Sequence, residues 1–216
     1  MKKVLLSVHP KWCELIFNGK KTIEVRKNIP KLEPPFEVLV YCTMPKERWS
    51  VGHQIFFNDT LYTLPTGELK LGDALELIAD WPGKYDANNF LNGKVIGSFF
   101  CDRINEIYQC NSGWVKENAC LSRGEFFDYL GIPRDTHGGY DKKAFGWHIT
   151  EPKLFDKPKE LGEFYIPCKW YEKGKGCHED CALFDYEGAI DETDDFCLGK
   201  RPIPRPPQSW CYVEEN

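Results

Sequence analysis

A short basic segment, Gly-Lys-Lys-Thr-Ile-Glu-Val-Arg over residues 19–26, brings together several side chains that could do chemistry. Polar and apolar residues alternate, which predicts a strand with Thr22, Glu24 and Arg26 on one face and Lys21 at the turn before it. Arginine binds phosphate with two donors and lysine binds it as a point charge. Glu24 could position Arg26 or act as an acid or base. The alternative is a solvated strand face with an ion pair across strands.

A second group of reactive side chains lies near the C-terminus, where five cysteines fall between residues 168 and 211. Thiolates bind zinc tetrahedrally, and four of them close a structural site. Cys211 belongs to Trp-Cys-Tyr, which reads as a docking strand, so the predicted zinc ligands are Cys168, Cys177, Cys181 and Cys197. An iron–sulfur cluster, unligated thiols and disulfides remain as alternatives.

The charge balance restricts the class of partner. The 216 residues include 28 Lys+Arg and 33 Asp+Glu, a formal charge of −5, which excludes a globally basic nucleic-acid binder. Residues 1–30 nevertheless carry seven basic side chains and two acidic ones, so a local basic patch remains compatible with the sequence. No apolar run is long enough for a membrane helix, and the apolar stretch after Met1 is too short for a secretory signal. We therefore expect a cytoplasmic protein with no membrane partner.

The elements that must position these side chains are short strands and two helices. Trp12, Leu15 and Ile16 predict one apolar helix face over 10–18, which Gly19 ends. Ser122 and Glu125 have the spacing of a capping box before a helix ending at Leu130. Strands are predicted over 3–8, 22–26, 36–42, 95–104, 144–149 and 161–166, with hairpin pieces at 55–57 and 61–63. This pattern predicts an α+β fold, a small mixed β-barrel flanked by helices.

Composition divides the chain into two parts. Residues 1–166 are predicted to form the barrel, interrupted by an insertion over 44–92. Residues 167–216 are rich in cysteine and proline and hold few aliphatic residues, so this extension needs a metal or the barrel to order it. Its proline-rich run over 201–207 predicts a stiff strap along the barrel, or alternatively a ligand for a protein partner.

Three motifs resemble the ASCH family. They are Val-Leu-Leu-Ser-Val-His-Pro over 4–10 with Ile-Phe-Asn-Gly-Lys-Lys-Thr-Ile-Glu-Val-Arg over 16–26, then Gly-Lys-Val-Ile-Gly over 93–97, and Phe-Gly-Trp-His-Ile over 145–149. The Cys-rich tail with Pro-Pro-Gln-Ser-Trp over 206–210 further resembles ASCH proteins of Firmicutes and phages.

The resemblance implies a PUA-like barrel with a positively charged cleft beside the first helix, suited to RNA or a nucleotide. It places Lys21, Thr22, Glu24 and Arg26 in or near this cleft. Phosphate contacts are expected from Lys21 and Arg26. Trp147 and His148 are candidate wall residues: Trp147 either stacks on a base or fills the core, and His148 either donates a hydrogen bond or packs on its strand. An RNA-binding module is the leading prediction.

The resemblance also implies two enzymatic alternatives. One branch of the superfamily is an amidohydrolase acting on acetylcytidine, and its catalytic lysine matches Lys21. Glu24 stands where that branch has a threonine, and Glu125 is the candidate for its downstream acid. Some ASCH proteins are ribonucleases, for which Lys21, Glu24 and Arg26 could assist cleavage. A protein-interaction module using the proline-rich tail is a third prediction.

Overall fold

The protein is described from a computed structural model that covers residues 2–44, 54–57, 60–63, 91–133, 142–167 and 200–215. Its helices are α1 (Pro10–Phe17), α2 (Ser112–Ala119) and α3 (Arg123–Leu130), with 3-10 turns at Gln109–Asn111 and Leu161–Glu163. Its strands are β1 (Lys3–Val8), β2 (Ile23–Arg26), β3 (Phe36–Cys42), β4 (Gln54–Phe57), β5 (Thr60–Thr63), β6 (Val95–Tyr108), β7 (Lys143–Lys159), β8 (Phe164–Pro167), β9 (Lys200–Pro202) and β10 (Trp210–Glu215).

Eight strands form one mixed sheet in the order β2-β7-β6-β3-β1-β10-β8-β9. β1 and β3 are parallel, and the other neighbouring pairs are antiparallel. β4 and β5 form a separate hairpin, as predicted for 55–57 and 61–63. The predicted α+β class, a mixed sheet with a few helices, is confirmed.

The sheet curls, so that its first strand approaches its fifth and sixth. The Arg26 guanidinium at the end of β2 donates hydrogen bonds to the Ser7 carbonyl on β1 and to the Ser209 hydroxyl just before β10. These strands are not neighbours in the ladder, so the contact shows that the two parts of the sheet face each other across a short gap. This is the barrel-like curvature expected of the fold.

The two longest strands, β6 and β7, pair irregularly. Their pairing is divided into four stretches by three register shifts, between Val95 and Gly97, Ser98 and Phe100, and Cys101 and Ile104. Each shift inserts an irregularity that bends a strand and increases its twist. Both strands continue well beyond the predicted bounds of 95–104 and 144–149, because a bent strand changes its buried face and so loses the simple alternation that sequence reading relies on.

Helix ends follow the local sequence closely. Gly19, immediately after α1, has φ +76°, a conformation that a residue with a Cβ adopts only at a cost. The capping box before α3 is present: the Ser122 hydroxyl accepts the Glu125 N–H, and the Glu125 carboxylate accepts the Ser122 N–H. α2 was not predicted. It buries only Val115 and Ala119, which is too weak a periodic signal to read.

The described part of the predicted extension is built into the sheet. β10 pairs with β1 from Lys3↔Val213 to Leu6↔Trp210 and also pairs with β8. β9 pairs with β8 on its other side, and the buried Ile203 beyond it donates its N–H to the Phe164 carbonyl. Residues 200–215 therefore complete the sheet that the earlier strands begin. The domain division near residue 167 stays a prediction.

The searched portion of the chain contains no helix that combines the length and apolar character needed to cross a membrane.

Candidate functional site: a cleft over a buried charge triad

The floor of the site is a buried charge triad, which we define as Lys21, Glu24 and Arg26. Lys21 follows the end of α1, and only 2% of its surface is exposed. Its ammonium donates to the Ala119 carbonyl at 2.8 Å and lies 3.4 Å from the Glu24 carboxylate. Burial lowers the pKa of Lys21, although the Glu24 charge opposes this effect. Lys21 is thus a desolvated amine next to an acceptor.

Glu24 connects the two cations of the triad. One carboxylate oxygen lies near the Lys21 ammonium, and the other accepts Arg26 Nη2 at 2.8 Å. Arg26 Nη2 also donates to the Ser7 carbonyl at 2.7 Å, and Nη1 donates to the Ser209 hydroxyl at 3.3 Å. The Arg26 Nε–H is buried with no acceptor among the described residues. The triad therefore joins β2 to β1 and to the segment before β10.

The triad opens into a cleft of about 600 Å³, which we call the cleft throughout. This is within the range of about 300–1,000 Å³ found for small-molecule sites. Its walls come from the end of β1, α1, α3 and the C-terminal segment, and its lining comprises Ser7, Val8, His9, Trp12, Lys21, Glu24, Val25, Arg26, Tyr41, Thr43, Met44, Leu121, Glu125, Asp128, Tyr129, Pro206, Pro207 and Gln208. The cleft lies beside the first helix, where the sequence placed it.

The charges of the described lining are mixed. Among the residues that the structure describes, the cations Lys21 and Arg26 line the cleft together with the carboxylates of Glu24, Glu125 and Asp128. Hydrogen bonds from Ser122 lower the pKa of Glu125, so that this carboxylate is ionised at neutral pH. The basic cleft that the ASCH resemblance implies stays a prediction, and α3 adds two carboxylates to the part of the lining that the structure describes.

Two aromatic side chains of the lining each have a lysine ammonium group over the ring. Lys11 lies 4.4 Å from the centre of a Trp12 ring, and Lys21 lies 5.1 Å from it. Lys27 lies 5.2 Å from the Tyr129 ring, and the Lys27 N–H donates to the Tyr129 hydroxyl. Neither aromatic was predicted as a site residue. Trp12 was assigned to the apolar helix face, and Tyr129 lies more than 100 residues from the triad.

Trp147 does not line the cleft. It has 0% exposed surface and packs against Phe36 and Trp210 at ring-centre distances of 5.9 and 6.0 Å. Base stacking on Trp147 is therefore wrong, and the core alternative is correct. In the β2–β7 register Trp147 lies opposite Glu24, on the strand face that turns inward.

His148 and Thr22 also lie outside the cleft. His148 is on the other face of β7 from Trp147, and its Nδ1 is 2.6 Å from the Asp102 carboxylate. Thr22 precedes β2, and its hydroxyl donates to the Asn118 carbonyl. Of the six predicted nucleic-acid contacts, Lys21, Glu24 and Arg26 line the cleft, whereas Thr22, Trp147 and His148 do not belong to its lining.

Glu125, the predicted candidate for a downstream acid, does line the cleft. One of its oxygens accepts the Ser122 N–H and hydroxyl, and the other lies 3.3 Å from the Lys11 ammonium. The carboxylate is thus committed to capping α3 and to an exposed ion pair.

The four cysteines predicted to bind zinc lie outside the described residues, so this site stays a prediction. Within the described ranges, no three His, Cys, Asp or Glu side chains are close enough together to hold a metal ion. Cys211, which the sequence assigned to a docking strand, lies on β10 as a free thiol.

A curled mixed sheet with a few helices and a cleft beside the first helix is consistent with a PUA-like fold. The sequence model of the ASCH domain matches residues 6–159, and the chain belongs to this family. The family is often associated with RNA binding.

Solved structures similar to this chain include the ASCH protein of Zymomonas mobilis, at 18% identity, with 98% of this chain and 87% of that chain covered and a TM-score of 0.46. One variant of it matches at 16% identity, with 98% and 88% covered and a TM-score of 0.47. Another matches at 18% identity, with 74% and 77% covered and a TM-score of 0.43. A search of curated proteins found no match.

Proposed function

We propose that this protein binds single-stranded RNA and that the cleft takes one unpaired base. The observation that carries the proposal is the pair of lysine-capped aromatics, Trp12 and Tyr129, on the lining above the charge triad. Aromatic side chains stack on bases whatever their sequence, and the adjacent ammonium groups attract the phosphate next to a stacked base.

The charges of the triad favour a base over a phosphate. Lys21 and Arg26 are each paired with Glu24, so a phosphate would have to compete with a buried carboxylate that is already in place. A base has no formal charge and offers donors and acceptors, which suit a floor of this mixed polarity. The phosphate contacts that the sequence assigned to Lys21 and Arg26 are therefore proposed for Lys11 and Lys27 instead.

The binding test uses end-labelled single- and double-stranded RNA and DNA on native gels. We expect single-stranded RNA to bind more tightly than duplex RNA, because a paired base must first be extruded. Tyr129→Ala should weaken binding by about 1–3 kcal/mol, the usual loss for one stacked base. Unchanged affinity in this variant would contradict base binding in the cleft.

Two lysines provide a matched pair for the phosphate contact. Lys27 lies over Tyr129 at 5.2 Å, and Lys143 lies over Phe145 at 5.4 Å, away from the cleft. We expect Lys27→Ala to weaken RNA binding and to reduce the slope of log K against log salt concentration by about one, because one phosphate contact is lost. Lys143→Ala should change neither the affinity nor the slope. Equal losses of affinity in the two variants would indicate non-specific electrostatic attraction of RNA to the protein and would contradict a phosphate contact at Lys27.

A hydrolase acting on a modified nucleoside or on RNA is the second candidate. It is favoured by the burial of Lys21, which lowers the pKa of this amine, because a larger fraction of a desolvated amine is unprotonated and able to accept a proton than of an ordinary lysine. The same RNA samples run on denaturing gels, with acetylcytidine assayed separately, test this candidate. Turnover that Lys21→Met abolishes while the melting temperature and RNA binding persist would establish it.

A further inference from the structure

One wall of the cleft comes from the far end of the chain. Pro206, Pro207 and Gln208 line the cleft, although they lie roughly 180 residues after the triad in sequence. They also lie outside residues 6–159, the part that matches the ASCH domain. We call Pro206–Ser209 the C-terminal wall.

The C-terminal wall is held in place by β1 and by the triad. The Ser7 hydroxyl donates to the Pro207 carbonyl at 2.7 Å, and the Ser7 N–H donates to the Ser209 carbonyl at 2.9 Å. Arg26 adds its bond to the Ser209 hydroxyl. The two proline rings also fix their own φ angles. The backbone is therefore anchored on both sides of Gln208. Because this segment is already ordered, less conformational entropy is lost when Gln208 contacts a ligand.

Gln208 differs chemically from the rest of the lining. It carries the only side-chain amide among the lining residues, and this amide is exposed and makes no hydrogen bond to the residues that the structure describes. An amide presents one acceptor and a donor group side by side, which is the pattern that glutamine uses to pair with the edge of a base. The charged groups of the floor, in contrast, are engaged with one another.

We propose that Gln208 is a specificity-determining residue, which pairs with a donor–acceptor edge of the base in the cleft. The inference rests on the proposed function, since it assigns the base selectivity of that same site. In this arrangement the aromatic side chains stack on any base, and Gln208 determines which base binds most tightly.

The experiment measures dissociation constants for four labelled ten-nucleotide homopolymers, rA, rC, rG and rU, by filter binding. The protein variants are the wild type, Gln208→Ala, Gln208→Glu and Arg205→Ala. Arg205 is exposed and does not line the cleft, so it is the matched control. Melting temperatures of all four proteins are recorded to confirm that each is folded.

We expect Gln208→Ala to reduce the ratio between the tightest and weakest homopolymers by about 5- to 150-fold, the range for one paired amide. Gln208→Glu keeps acceptors and loses the donor, so it should shift preference towards rA, rC and rG, whose bases carry amino groups, and away from rU, whose base has none. Arg205→Ala should leave the ratio unchanged.

Two results overturn the inference alone: an unchanged ratio in Gln208→Ala, or an equal loss for all four homopolymers, which would make Gln208 a non-selective contact. If the wild type binds none of the four, the proposed function itself fails and this inference fails with it. The two failures are therefore distinguished by the wild-type measurement.

Discussion

The charge triad and the polar side-chain pairs on the outside of β6 and β7 both join acidic and basic residues, but in very different settings. On the outside, Asp102 pairs with His148 and Glu106 pairs with Lys143, and both pairs are open to water. In the triad, Lys21 and Glu24 are buried. Exposed pairs contribute little to stability because water screens them, whereas buried charges are costly to desolvate and depend on each other.

This comparison indicates that a gain in stability does not explain why the triad is buried. A buried ion pair is often no more stable than an apolar replacement of similar volume. Its place at the floor of the cleft, joined to the C-terminal wall through Arg26, is instead what a binding site needs, because the side chains that face a ligand must be held in one arrangement.

The largest expected effect comes from removing the shared carboxylate. Glu24→Ala leaves two buried cations without an anion, so we expect the free energy of unfolding to fall by about 3–5 kcal/mol, measured by urea denaturation. Glu106→Ala, on the outer face, is the matched control and should leave the urea midpoint unchanged. Similar losses in both variants would remove the distinction between the two regions.

A smaller effect concerns the pH dependence of the triad. Burial places the pKa of Lys21 in the folded protein below 10.5, its usual value, so the folded state releases this proton before the unfolded state does. The Lys21 contribution to the free energy of unfolding should therefore rise as pH increases through the folded pKa towards 10.5.

The measurement is the difference in unfolding free energy between wild type and Lys21→Met across this alkaline range. Using the difference cancels the opposite contributions of Lys3 and Lys143, whose pKa values are raised. A difference that stays flat or falls with pH would show that Lys21 is not desolvated in solution.

The smallest effect is expected for the outer pair Asp102–His148. The hydrogen bond from His148 lowers the pKa of Asp102. The contribution of Asp102 to the free energy of unfolding is therefore present above pH 3.8, its usual pKa, and is lost as the pH falls through the lower pKa of the folded state. Asp102→Asn should leave thermal stability at pH 7 unchanged within error, because the carboxylate is exposed. A clear drop in the melting temperature at pH 7 would mean that this pair is structural.

Local features of the fold were predictable because their signals lie within a few residues. The capping box at Ser122 and the glycine after α1 are examples, as is the Trp210–Tyr212 strand. The grouping of Lys21, Glu24 and Arg26 was also predictable, since strand alternation places Glu24 and Arg26 on one face and Lys21 at its start.

The inward or outward direction of each strand face was not predictable. Trp147 and His148 are adjacent, and alternation alone leaves open which of them turns inward. The answer depends on how the sheet curls, and the irregular pairing of β6 with β7 cannot be read from alternation. Gln208 and Tyr129 were missed for a related reason: only the folded chain brings them to the cleft.

The pairing of β1 with β10 has a consequence for synthesis. β1 leaves the ribosome well before β10, the strand that covers one of its edges, which follows roughly 200 residues later. At about 5–20 residues per second, that edge waits about 10–40 s for its partner. The C-terminal wall arrives in the same late step. A nascent chain therefore has no complete cleft until β10 has been made and pairs with β1.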